Sequence, residues 1–242
     1  MKESLLDLTI KSYAENANLI LFFAIPALFA FVIPVLVGTP TYNALGGIYL
    51  RTGSIPDLSE FSLGVMVVAL LVSLYLMSFA IVNINIVVKS QRTNTSIKTE
   101  VLKGITTYTV NVFWIFLVAQ MVLLIVQLLT FGMPGQQIIA PFLSLIISIP
   151  ILFAPAALVI DGLRPWRALE KSVQITFSKL HYVALWVVIS LVVLSVVDGL
   201  SLFLLPQGIG TWVAVVLNAL VLMPFLIVML AQIYMSKYTI IS

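Results

Sequence analysis

The stretch LGVMVVALLVSLYLMSFAIVNINIVV, Leu63 to Val88, holds no charged side chain and is followed at once by Lys89. As an α-helix it would extend roughly 39 Å at 1.5 Å per residue, more than the ~30 Å of bilayer hydrocarbon. Five similar runs flank it, at about Leu19–Val37, Tyr108–Phe131, Ile138–Ile160, Tyr182–Leu205 and Thr211–Tyr234. Backbone N–H and C=O groups find no water in hydrocarbon, so segments of this kind satisfy them internally as helices. The expected fold is all-α: a polytopic membrane protein of about six transmembrane helices, with residues 1–242 as a single integral membrane domain. The Gly- and Pro-containing stretch from Gly38 to about Phe61 is expected to be a polar loop.

The composition agrees. The chain is 62% hydrophobic and 9% charged, against about 25% charged in a soluble domain, too few to cover a water-exposed surface. It has no cysteine and one histidine, His181, which excludes disulfides, thiolate chemistry and any site needing two imidazoles. Glu3, Asp7 and Glu15 interrupt the N-terminus, so a cleavable signal peptide is not expected.

Charge placement predicts orientation. Lys2 and Lys11 precede the first span. Lys89, Arg92, Lys98 and Lys103 follow the second, Arg164, Arg167, Lys171 and Lys179 follow the fourth, and Lys237 follows the sixth. Only Arg51 falls on the other side. By the positive-inside rule both termini are expected in the cytoplasm, with the protein in the cell membrane.

The basic segments carry helical periodicity. Trp166, Leu169, Val173, Phe177 and Leu180 recur on one face, Arg164, Arg167, Lys171 and Lys179 on the other, and Ile175 is the one apolar residue among the basic ones. Pro165 suits a first helical turn and Gly162 the end of the helix before it. Ile97, Val101, Ile105, Tyr108 and Val112 repeat the pattern before the third span, and Leu6, Ile10, Tyr13 and Ala17 before the first. The chain thus reads as three units, each an amphipathic helix followed by a transmembrane hairpin. Arg164, Arg167, Lys171 and Lys179 form a candidate face for anionic lipid or a protein partner; the same helices would also serve simply as interfacial elements that set the entry angle of the spans. Membrane lipid is the expected partner, and nucleic acid is not.

Polar residues inside the spans are the other candidates: Asn83 and Asn85 in the second, Gln120 and Gln127 in the third, Asp198 in the fifth and Asn218 in the sixth. Ser144 and Ser148 share a face of the fourth. Such residues line a polar cleft in transporters and also make ordinary interhelical hydrogen bonds. Asp198 lies within two turns of its span's outer end and has no basic residue in the fifth or sixth span to pair with. It is expected to be hydrated there and to contribute little to folding. Pro150, Pro155 and Pro224 are expected to kink their helices.

No catalytic, cofactor-binding or metal-ligating set emerges. Asp161-Gly162 followed by arginines resembles the opening of the CDP-alcohol phosphotransferase motif, but that motif needs two further aspartates on the next helix and none occurs before Asp198. No phosphate-binding loop, nucleophile elbow or zinc-binding His-Glu-x-x-His is present.

The stretch FAPAALVIDGLRPWRALEKSVQITFSKLHYV, Phe153 to Val183, resembles the membrane domain found beside some glycerophosphoryl diester phosphodiesterase catalytic domains and in stand-alone bacterial and archaeal relatives. Pro155, Asp161, Gly162, Ala168, Lys171, Ser172, Thr176 and Lys179 carry the likeness. It implies a six-helix membrane domain of unassigned activity, and the catalytic domain is not part of this sequence. The function expected is that of a non-enzymatic interaction, accessory or lipid-associated membrane protein; the alternative is a small transporter or permease subunit with a polar cleft between helices.

Overall fold

The structure is a computed structural model describing residues 4–36, 42–45, 48–51, 60–93, 101, 104–133, 136–206 and 208–236. A short helix α1 (Leu5–Glu15) precedes α2 (Ala17–Leu36), and a small antiparallel hairpin, β1 (Tyr42–Leu45) with β2 (Ile48–Arg51), follows. This hairpin stands within the stretch expected to be a polar loop, and β2 lies against Gln136–Leu152, the first part of the fourth span. Next come α3 (Glu60–Thr93), a π-helical turn at Gly104–Tyr108, α4 (Thr109–Thr130), α5 (Gln136–Leu152) and α6 (Ala154–Asp161). The chain continues through α7 (Pro165–Ser178), α8 (Leu180–Leu204), α9 (Ile209–Leu217), a second π-helical segment (Asn218–Leu222) and α10 (Met223–Met235). Among the described residues six helical stretches are long and apolar enough to cross a membrane: Ala17–Pro34, Gly64–Thr93, Thr109–Thr130, Pro141–Asp161, Leu180–Leu204 and Ile209–Met235.

The two helices of each hairpin play different parts. Within an 18-residue window of each span, 44, 61 and 56% of residues are buried in the second, fourth and sixth, against 28, 33 and 11% in the first, third and fifth. The burial concentrates in three continuous runs, Ala80–Val88, Ile151–Val159 and Leu226–Met235, which are enclosed on every side. The three hairpins therefore each contribute their second helix to a common centre. That centre lies at the end of the bundle bearing α1, α7 and the clustered basic residues, here called the basic end. Toward the opposite end many buried positions are small or polar, among them Ser73, Ser144, Ser148, Ser201, Gly210 and Ala214. Phe142, Leu145 and Phe203 point outward there, as the lipid-solvated surface of a membrane bundle requires.

The breaks follow local chemistry. Gly162 takes a left-handed φ of 64° as the C-cap of α6, and Pro165 occupies the first turn of α7, as the sequence predicts. Ser4 caps α1 in a reciprocal box with Asp7: Asp7 N donates to Ser4 Oγ (3.1 Å), and the Ser4 N–H and hydroxyl donate to Asp7 Oδ2 (3.2 and 2.7 Å). The fourth span is divided at Phe153, where the Ser172 hydroxyl of α7 sits within its ladder. Inserting a side chain into the i→i−4 ladder is an established way to break a helix.

Candidate functional site

Two groups of polar and charged residues lie at the basic end. The first is α7. Its protein-facing side is Ala168, Ser172, Ile175 and Thr176, all buried. Trp166 and Phe177 are 72% and 64% exposed. At the 100° step of an α-helix, Arg164, Arg167 and Lys171 fall in one sector of roughly 60°, turned from both the buried side and the Trp166–Phe177 side. Helix α7 thus has three faces instead of two. Ile175, out of place on a two-faced helix, is a contact with the bundle. Lys179 does not join the basic sector: it sits at the α7–α8 junction, its ammonium 5.7 Å from the centre of the Tyr182 ring. The Lys171 ammonium donates to Gln174 Oε1 at 2.8 Å.

Helix α1 docks by the same rule, burying Thr9 and Ser12 and leaving Leu6 and Ile10 exposed. In the second lead-in, Val101, Tyr108 and Val112 pack on the core; Ile97 lies outside the described residues. The Gly104–Tyr108 turn is π-helical where an α-helical lead-in was expected.

The second group is a pocket of about 330 Å³ where α1 passes over the ends of α3 and α10. Leu8, Lys11, Ser12, Glu15, Gln91, Arg92 and Gln232 line it. The Arg92 guanidinium donates to Gln232 Oε1 at 2.9 Å. The Ser12 hydroxyl donates to Gln91 Oε1, and the Gln91 amide donates to the Glu15 carboxylate. A cation and an anion therefore share one cleft, each hydrogen-bonded to a neutral glutamine amide. Reading the sequence missed this pocket. The signal was available: Gln91, Arg92 and Gln232 close the second and sixth spans, and Glu15 immediately precedes the first.

The intramembrane candidates separate. Asn83 and Asn85 are buried in the centre, and each amide donates 2.8 Å back to a carbonyl of its own helix, Phe79 and Ile81 respectively. Among the described residues their buried Oδ1 atoms have no hydrogen-bond partner. Gln120 is buried on α4 and Gln127 is half-buried. Asp198 departs from expectation. It is half-buried, and its Oδ1 accepts from the Asn218 amide at 2.8 Å, joining α8 to the second π-helical segment. With no basic residue in the fifth or sixth span, its partner is a neutral amide on the facing helix. At the basic end the Tyr234 hydroxyl donates to Asp161 Oδ2 at 2.6 Å, tying the fourth span to the sixth.

No protein-family model, curated protein or solved structure matches this chain.

Proposed function

We propose that this chain is a non-enzymatic, lipid-associated protein of the cell membrane, with both termini in the cytoplasm, acting as an interaction or accessory subunit. The three-faced geometry of α7 carries the reading. A helix lying in the membrane interface needs one side for its own protein, one for acyl chains and one for headgroups and water. Ala168, Ser172, Ile175 and Thr176 serve the first, Trp166 and Phe177 the second, and Arg164, Arg167 and Lys171 the third. Clustered basic residues at a cytoplasmic surface attract anionic lipid at about 1 kcal/mol each. The likeness of Phe153–Val183 to the phosphodiesterase-associated membrane domain bears on the six-helix architecture and assigns no activity.

A transport role gains one supporting observation, the Asp198–Asn218 pair beside a π-helical segment, since π-bulges recur at functional sites. That pair joins the least buried span to the sixth, whereas the polar residues of the centre, Asn83 and Asn85, are enclosed in closely packed apolar surroundings. The packing favours the accessory reading.

Lipid co-purifying in mild detergent, identified by mass spectrometry, tests it. Replacing Arg164, Arg167 and Lys171 together by Gln should lower the anionic lipid retained by several-fold with the fold intact. Unchanged retention would overturn the assignment of that face.

A further inference from the structure

We propose that the pocket between α1, α3 and α10 binds a zwitterionic group carrying a phosphate and a primary ammonium, the headgroup chemistry of phosphatidylethanolamine. At about 330 Å³ it stands at the small end of ligand sites, which run from roughly 300 to 1,000 Å³. Its charges are arranged in an uncommon way. Among the described residues Arg92 is hydrogen-bonded to Gln232 and Glu15 to Gln91, so cation and anion are each oriented by an amide instead of by one another. A guanidinium has five N–H donors and a carboxylate about four acceptor sites, so one glutamine contact leaves capacity on both.

The contents of the pocket narrow the ligand. Arg92, with Lys11 also on the wall, suits a phosphate, which a guanidinium can bind in bidentate fashion. Glu15 would repel a simple anion and accepts hydrogen bonds from an ammonium that has N–H groups. A quaternary choline offers none, and a glycerol headgroup offers no positive charge. Leu8 supplies an apolar side. Position favours a lipid over a free metabolite: Arg92 lies in the last turn of α3, Gln232 near the end of α10, and Glu15 ends α1 just before the first span. In a six-span chain these residues stand at headgroup depth. The inference rests on the membrane reading but is independent of the basic face of α7.

The full chain purified in detergent tests it, titrated with short-chain phosphatidylethanolamine, phosphatidylcholine, phosphatidylglycerol and free phosphoethanolamine and read by native mass spectrometry. The ethanolamine lipid is expected to bind about tenfold tighter than the other two, the scale of one charge-assisted hydrogen bond. Glu15→Gln should erase that preference while leaving residual phosphate binding. Arg92→Gln should weaken every phosphate ligand about tenfold, and Lys11→Gln provides a second test at an exposed position should Arg92→Gln unfold the chain. Free phosphoethanolamine binding as tightly as the lipid would support the zwitterion site and assign it to a soluble ligand. Equal binding of all three lipids, or a preference that survives Glu15→Gln, would overturn the proposal. Replacing the α7 arginines and lysine should leave these affinities unchanged, so the two readings fail separately.

Discussion

The Ser172 hydroxyl accepts the backbone N–H of Phe153 at 2.9 Å and donates to the Ile149 carbonyl at 3.1 Å. In an unbroken helix that N–H and that carbonyl would bond to each other. One side chain of the interfacial helix thus occupies a rung of the fourth span's ladder, and it ties α7 to the buried run Ile151–Val159.

Removing it should be costly. Ser172→Ala leaves a buried donor and acceptor facing a gap, worth roughly 1–3 kcal/mol. Ser178→Ala, which removes only a local bond to the Ile175 carbonyl on an exposed face, should cost less than about 0.5 kcal/mol. Thermal unfolding in detergent compares the two; equal losses would mean that the insertion is structurally idle.

The Asp198–Asn218 pair makes a second prediction. Interhelical hydrogen bonds inside membranes contribute about 0.6 kcal/mol on average and up to about 1.7. Asn218→Leu should destabilise by roughly that upper figure, because it also leaves a half-buried carboxylate without its donor. The double variant with Asp198→Leu should recover part of the loss. A double-mutant cycle with no coupling would show that the pair contributes nothing.

These cases show where sequence was informative and where it was silent. The spans, the Gly162 cap and the Pro165 start were legible because run length and backbone chemistry act locally. The Asp198 partner was legible in principle: Asp198 and Asn218 stand ten residues either side of Gly208, hence opposite one another in an antiparallel hairpin. The docking face of α7 was harder. In water the large apolar stripe marks the contact; in lipid it is small residues that let helices approach, so Ala168, Ser172 and Thr176 pack inward while Trp166 and Phe177 do not. That the even-numbered spans form the centre was not legible, since all six runs are similarly apolar.

Close approach gives a third prediction. A Cβ on Gly210 would come within 2.4 Å of the Ser201 carbonyl oxygen, a backbone atom with little room to yield, whereas one on Gly64 meets nothing within 4 Å. Gly210→Ala should therefore part α8 from α9 and cost about 1–3 kcal/mol, the range for overpacking. Gly64→Ala, in the second turn of α3, should be neutral or stabilising by up to about 0.5–1 kcal/mol. Melting temperatures moving in the same direction would contradict both assignments.

The α1 cap should respond to pH. The Ser4 hydroxyl, and after it the Ser4 backbone N–H, hold the Asp7 carboxyl below the usual carboxylate range. A group depressed in the folded state contributes stability above its unfolded pKa, about 3.9, and loses it as pH falls through the folded value. Amide protection in the first turn of α1 should hold at pH 5 and fall below about pH 4. Asp7→Asn should show that weakened protection already at neutral pH.

The last prediction fixes the orientation on which the functional reading depends. Eleven of twelve lysines and arginines lie on one side of the six-span topology, with Arg51 alone opposite. The sequence contains no native cysteine, so single cysteines can be introduced without background. A cysteine replacing Asn94, after the second span, should resist a membrane-impermeant maleimide in sealed cells and react once the membrane is opened. One replacing Gly208, in the turn between the fifth and sixth spans, should react in intact cells. Gly208 has a positive φ of 94°, so a side chain there is strained, and Thr211 gives a second position near the same end if that variant accumulates poorly. Labelling of Asn94→Cys from outside would invert the topology. It would also place α7 and the Arg92–Glu15 pocket on the outer leaflet, removing the basis for cytoplasmic lipid association.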